Sequence, residues 1–302
     1  MEKPPTWLCD YQRDVYSQAG EDGIIEEILR LIPNHDLWCV EFGAWDGMHY
    51  SNSRNLIENK SYSAVLIEGS KKRFTELQGN YSHCSTVYPV NAFVGFDPND
   101  NLDTLLKKTP IPHDFDFLSI DIDGNDYHVW KAMSLYRPKA LVIEFNPTIP
   151  SHIEFVQPAD PSVSKGSSLL SLIKLGKEKG YELVSVLSFN AFFVKQEYYS
   201  LFDLSSNNID VLQTDKRLIT YLFSTYDGQI YLDGGCLLPW HETPIRPEHM
   251  QYLPKILRSE TGGNYAFWRK IIFSIWLLRE DPKRLMREIK KICDRVFKQG
   301  VD

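Results

Sequence analysis

An α/β fold is predicted for this chain. It is a Rossmann-like seven-stranded sheet, mostly parallel with its last strand antiparallel, followed by a C-terminal helical extension. Three observations lead there. Residues 37–68 run as apolar strand, glycine turn, short helix, apolar strand and acid. Five apolar runs alternate with helical segments as far as residue 147, which implies parallel strands with helices on both faces. Two further runs, residues 181–187 and 191–194, are joined only by Ser188, Phe189 and Asn190. So short a link makes them antiparallel.

The elements follow in order. Residues 1–16 read as an irregular arm. Ser17-Gln18-Ala19-Gly20-Glu21-Asp22-Gly23 then leads into a helix whose one face carries Ile24, Ile25, Ile28, Leu29 and Ile32. Glu21 and Asp22 stand at its start, where the helix dipole favours acids. Gln18 is placed to reach a bound cofactor. Residues 37–40 form the first strand, and residues 41–47 the turn that leaves it. Ser51 and Asn52 can cap a helix through Asn59. Residues 63–67 are the second strand, closed by Glu68 and Gly69, and Ser70 can cap the next helix, with Phe74 and Leu77 inward. The third strand covers residues 87–94, ending near Asn91, and a short helix covers 98–108. Residues 115–123 make the fourth strand, running into Gly124. Residues 126–136 are helical, with Asp126 as a cap, and residues 139–147 are the fifth strand.

Residues 150–166 form a loop at the carboxyl end of that strand, where ligands bind in open α/β sheets, and read as a substrate lid. A helix over 169–179 precedes the hairpin. This gives one domain over residues 1–200 and an accessory region over 201–302, loops then helices. Within it residues 200–260 are irregular, with weak strand candidates at 221–224 and 230–232. Trp268, Ile271, Ile272, Ile275 and Trp276 make a helix face suited to core packing or a homodimer contact rather than to a membrane. The last helix, residues 282–297, is basic and amphipathic and reads as a solvated charged face.

With 43% hydrophobic and 24% charged residues, the chain can bury a proper core. A net charge of −7, without a dense basic stretch before the last quarter, argues against a nucleic-acid binder. Cys9, Cys39, Cys84, Cys236 and Cys293 are odd in number and scattered, without a CxxC pair, so neither zinc nor disulfides are expected. No apolar run approaches the ~18–20 residues of a membrane span, no signal peptide is seen, and a cytoplasmic setting is the default.

The chemistry concentrates at strand ends. A dinucleotide site needs bare glycine turns against a pyrophosphate, but here Gly43 and Gly47 enclose Trp45 and Asp46, an acid that would repel one. An acid ending the first strand, Glu41, suits S-adenosyl-L-methionine (SAM), which carries an ammonium and a sulfonium and no phosphate. Glu68, some 20 residues on, can hold two ribose hydroxyls. NAD domains also lack the terminal hairpin. Asp121, Asp123, Asp126 and His128 follow the fourth strand, and Glu144 and Asn146 end the fifth. Asp121, Asp123, Glu144 and Asn146 are the candidate catalytic cluster, with Asp121 and Glu144 as candidate metal ligands and His128 and His152 as reserve bases. Oxygen donors in such number suit Mg²⁺, Mn²⁺ or Fe²⁺ better than zinc.

Ser17-Gln18 with Glu21-Asp22, Glu41-Phe42-Gly43-Ala44-Trp45-Asp46-Gly47, Ser51-Asn52-Ser53, Ile67-Glu68, Asn91-Ala92, Ile120-Asp121-Ile122-Asp123-Gly124 and Ile143-Glu144, in that order, resemble the FkbM-like SAM-dependent methyltransferases. The resemblance covers roughly residues 15–195. It implies the class I methyltransferase sheet and O-methylation of a small-molecule, carbohydrate-like acceptor: a sugar, nucleotide-sugar or glycoside. It implies that Glu68 binds the ribose, Gly43 lies under the methionine part, Gln18, Ser51 and Asn52 touch its polar end, and Asn91 lies beside adenine. Phe42 and Asp123 depart from the residues the family commonly has there. The Asp-rich turn is also similar to the metal-binding turn of macrolide and aminocoumarin sugar methyltransferases, which implies a divalent metal. The alternatives are a non-catalytic SAM-binding protein, or a methyltransferase acting on an amine, RNA or protein.

Overall fold

The computed structural model of the chain describes residues 7–258 and 265–299. Residues 1–6 of the expected arm lie outside the described residues. The chain divides into two compact units between Lys216 and Arg217. The expected division at residue 200 falls inside the first unit, because Phe202 and Leu212 are both buried in its core.

In the first unit seven strands form one sheet: β1 (Trp38–Phe42), β2 (Ser63–Glu68), β3 (Val87–Asn91), β4 (Phe117–Ile120), β5 (Ala140–Glu144), β6 (Tyr181–Val186) and β7 (Asn190–Lys195). Their order is β3-β2-β1-β4-β5-β7-β6. The first five are parallel, and β7 is antiparallel to both β5 and β6. The mostly parallel sheet with an antiparallel last strand is therefore as predicted. The insertion of β7 between β5 and β6 is the added detail.

The central strands read as continuous apolar runs because both their faces are covered. Alternate residues go to opposite layers. Val40, Phe42, Leu118, Ile120, Leu141 and Ile143 pack with α4 (Leu102–Leu106), α5 (Asp126–Ala132), α6 (Leu169–Glu178) and α7 (Ile209–Leu212). Cys39, Ala64, Leu66, Phe117 and Val142 pack with α1 (Glu21–Leu31), α2 (Arg54–Lys60) and α3 (Lys71–Asn80). By the same alternation Glu41, Glu68 and Ser119 lie on the α1–α3 face.

Several boundaries differ from the sequence reading. The first strand runs on through Glu41 and Phe42, because both pair with β2 and β4. The fourth strand stops at Ile120, so Asp121 and Asp123 sit in a turn. The short helix starts at Leu102, capped by Asn101, whose side chain accepts from the Thr104 N–H. Ser70 makes no side-chain cap, and α2 begins only after Ser53.

The second unit holds an antiparallel hairpin of β8 (Thr220–Ser224) and β9 (Ile230–Gly234), at the two strand candidates, 221–224 and 230–232, of a stretch otherwise expected to be irregular. Two helices close it, α8 (Phe267–Glu280) and α9 (Pro282–Gln299). Among the described residues no helix is long and apolar enough to cross a membrane, and no cysteine forms a disulfide.

Candidate functional site

Strand register builds the site. Glu68 pairs with Asn91, Phe42 with both Ile67 and Ile120, Ile120 with Ile143, and Glu144 with Asn190. The residues one step further along β1 and β4 are Gly43 and Asp121. The carboxyl edge of the sheet therefore carries one row: Asn91, Glu68, Gly43, Asp121, Glu144 and Asn190.

Gly43 is the joint of that row. Its φ is +72°, and a Cβ there would collide with the Asp121 carbonyl oxygen. Gly47 also has φ +72°, and a Cβ there would stand 2.7 Å from the Tyr81 ring. Between them Asp46 accepts from the N–H groups of Met48 and His49, which closes the turn. Only glycine tolerates both the left-handed backbone and the close approach.

On the Gly43 side the acids are held by donors. Glu68 accepts from the Trp45 N–H at 2.9 Å and the Ser70 N–H at 2.6 Å, which ties the glycine turn to the start of α3. Asn91 donates through Nδ2 to the Glu68 carbonyl oxygen at 2.7 Å. Buried Glu41 accepts from Ser51 Oγ and Ser53 Oγ, each at 2.5 Å, and from the Asn52 N–H at 2.9 Å. Burial pushes the Glu41 carboxyl up, and these hydrogen bonds oppose it. Asn52 donates through Nδ2 to Ser119 Oγ at 3.1 Å, binding this segment to β4. Ser51 and Asn52 thus organise the turn around Glu41, although Ser51 Oγ does accept from the Arg54 N–H.

The loop before α1 closes the same side. Asp22 Oδ2 accepts from the N–H groups of Val15, Tyr16 and Ser17. Glu21 accepts from the Ala19 N–H and from Asn190 Nδ2, which sets the loop carrying exposed Gln18 beside the β5 and β7 ends. The Arg54 guanidinium lies 3.9 Å from the Tyr16 ring centroid.

On the other side the acids meet one another. Asp121, Asp123 and Glu144 present oxygens that all lie within 4.8 Å of each other. Asp123 takes φ +56°, and Asp126 accepts from the N–H groups of Ile122 and Gly124 at 2.9 Å each. Asp126 therefore pins the Asp-rich turn rather than capping α5, whose own first position it occupies. Partial burial and then the Asp126 and Asp123 charges push Asp121 up to about 7. Burial and then the Asp121 charge push Glu144 higher still. Their mutual hydrogen bond favours a protonated Glu144 beside an ionised Asp121.

Asn146 is engaged elsewhere. Its Nδ2 donates to the Lys165 carbonyl at 2.8 Å and its Oδ1 accepts from Thr148. The 150–166 loop is organised around buried Gln157, whose amide bonds the backbone of Val163, Lys165 and Gly166. It packs on the Asp-rich turn through Asn125 Nδ2, which donates to the Asp160 carbonyl, and through His128 Nε2, 2.8 Å from the Gln157 carbonyl oxygen. Of the reserve bases, His128 thus faces the loop and His152 is exposed.

Ser53, Ser119, Glu21 and Asn190 belong to the site and escaped the sequence reading as site residues, though Ser53 and Glu21 lay within the quoted motifs. Phe93 escaped it as well. It is 80% exposed, and its ring lies so close over Gly69 that a Cβ there would strike it. An exposed aromatic just past a strand end was the available signal. A cavity of about 670 Å³ opens elsewhere, lined by Leu37 and Tyr62, which precede β1 and β2. Its Glu26 is already held by Arg13, Lys60 and Asn55.

No family model matches the chain, and no curated protein does. Among solved structures it is similar to the N-terminal domain of EvdMO1, crystallised with SAH and D-fucose, at 12% identity over 58% of this chain and 80% of that one, TM-score 0.39. It is similar to a SAM-dependent methyltransferase from Aquifex aeolicus, at 10% identity over 56% of this chain and 87% of that one, TM-score 0.36. It is also similar to a precorrin-6y C5,15-methyltransferase from Geobacter metallireducens, at 15% identity over 61% and 92%, TM-score 0.35.

Proposed function

We propose that this chain binds SAM and methylates a hydroxyl of a small, carbohydrate-like acceptor. One observation carries the reading. The strand-end row sets a glycine joint with a donor-held acid on one side and, on the other, a cluster of carboxylates whose oxygens lie within 4.8 Å of one another.

The row fits the cofactor. A carboxylate offers about four lone-pair positions, so Glu68, accepting two backbone N–H groups, keeps capacity for two ribose hydroxyls. The open Phe93 ring beside Asn91 suits a purine face. Gly43 leaves room for close approach of the methionine part, with Gln18, Ser51 and Asn52 around its polar end. When bound, SAM supplies an electrophilic methyl on a sulfonium.

The protein's own task is to prepare the alcohol. An alcohol is a poor nucleophile until a base receives its proton as the new C–O bond forms. The ionised member of the Asp121–Glu144 pair is that base. Its raised affinity for protons matches it to neutral pH better than an ordinary carboxylate. Holding the acceptor oxygen in line supplies much of the remaining rate. A metal-assisted variant is favoured by one feature, the three oxygens within 4.8 Å. Asp121, Asp123 and Glu144 would hold Mg²⁺ or Mn²⁺, which would lower the hydroxyl pKa in place of the base.

Calorimetry with SAM, S-adenosylhomocysteine and NADH tests the first half. Heat with the first two and none with NADH is expected, and silence with both adenosyl compounds would end the proposal. Methyl transfer to a panel of sugars and glycosides tests the second half. Label recovered as an alkali-stable ether is expected, and label on nitrogen or on a polymer would reassign the acceptor. Full turnover after exhaustive chelation would remove the metal variant.

A further inference from the structure

The second unit buries little of its apolar surface. Among its described residues only Ile219, Leu257 and Leu277 are buried hydrophobics. In α8 two faces are apolar. One packs within the unit: Phe273 lies against Tyr265, and Trp276 against Tyr252 and Phe273. The other is left open. Phe267, Ile271, Ile275 and Leu278 recur at four, four and three residues, a single stripe of helix surface, and they are 80, 48, 63 and 61% exposed. Trp268 flanks the stripe, half exposed, with the Arg269 guanidinium 5.1 Å from its ring centroid. In α9 Met286 and Ile289 are exposed as well.

Charge decides what covers this surface. Residues 265–299 hold ten Lys and Arg against four Asp and Glu, in a chain whose net charge is −7. Lys270 and Arg279 border the α8 stripe, and Lys283, Arg284, Arg287, Lys290 and Lys291 are all exposed on α9. A second copy of the chain would bring like charges together across a two-fold contact. An anionic bilayer surface offers both an apolar layer for the stripe and negative headgroups for its cationic borders.

We propose that α8 and α9 form a peripheral membrane-binding surface for anionic lipid, lying in the interface without crossing it. The large aromatic and branched side chains enter the headgroup boundary, and the cations read the headgroup charge. This departs from the core-packing or dimer reading of the sequence, because α8 has one apolar face more than its own unit covers.

Vesicle co-sedimentation of the full chain tests it, with phosphatidylcholine alone and with added phosphatidylserine. Binding to the anionic vesicles, weakened by salt, and little to the neutral ones is expected. Lys283→Gln with Arg287→Gln and Lys290→Gln should lower partition roughly a hundredfold at low salt, since each cation near the surface contributes about fivefold. Ile271→Glu with Ile275→Glu should abolish it. All five side chains are exposed or nearly so, and unchanged circular dichroism and thermal midpoint will show that the fold survives. Equal binding to both vesicle types, or none to either, would overturn the proposal. So would a concentration-dependent dimer broken by Ile271→Glu, or tight binding to an RNA oligonucleotide in place of vesicles.

Discussion

The two halves of the strand-end row use the same side chain in opposite ways. Glu41 and Glu68 are surrounded by hydroxyl and amide donors, and at Glu41 those donors pull against the burial that raises its proton affinity. Asp121 and Glu144 are surrounded by other acids, so neighbouring charge adds to burial instead of opposing it. A carboxylate among donors orders backbone and accepts hydroxyls. A carboxylate among carboxylates retains a proton that it can exchange near neutral pH. The lesson is that residue type states little at this edge, and the neighbours state the role.

The comparison breaks most completely at its joint. Gly43→Ala would force a methyl into the Asp121 carbonyl oxygen from a left-handed backbone. We expect about 3–5 kcal/mol of lost stability in denaturant titration, with SAM binding abolished. A wild-type unfolding curve would show that the joint relaxes freely.

Next, Asp121→Asn should lower turnover roughly 100- to 10,000-fold, the usual range for a general base, and Glu144→Gln, which keeps a donor to Asp121, should lower it less, both with SAM affinity nearly unchanged. Equal losses in affinity and turnover would instead make the pair part of the binding half. Glu68→Gln should do the reverse, weakening SAM by roughly tenfold, about 1.4 kcal/mol, with turnover at saturation changed little.

The smallest effect sharpens the contrast through pH. Asp121 and Glu144 hold protons more tightly folded than unfolded. Between about pH 4, the ordinary carboxylate value, and the raised folded values, the native state therefore binds the extra protons. Stability falls as pH rises through that window. In chelator-treated protein, Glu144→Gln should flatten this fall and stabilise the fold at pH 8 by roughly 1 kcal/mol, kept low because Asp121 reaches solvent. Thermal midpoints across pH would check it. A steeper fall in the variant would contradict the proton-sharing pair.

Much of the frame was legible because it depends on local pattern. Continuous apolar runs, the short link before Asn190 and the glycine turn each specify an element from neighbours in sequence. The element ends were less legible. Glu41 and Phe42 read as turn and are strand, since pairing with β2 and β4 extends β1 past its apolar run. The site residues found were those at strand ends carrying acids. Asn190 and Ser119 were missed because a polar side chain between two strands and a serine within one have no local signature, whereas Phe93, an aromatic just past a strand end, did carry one. Asn146 was legible as a strand-end residue, but its engagement by Lys165 and Thr148 was not.

Periodicity and turn chemistry thus dictate that this chain builds a parallel sheet with acids along its carboxyl edge, because both depend on residues a few positions apart. Which acids meet donors and which meet each other depends on β1 lying between β2 and β4, and on residue 120 standing opposite residue 143. That register joins positions far apart in the chain, and only the packed sheet sets it.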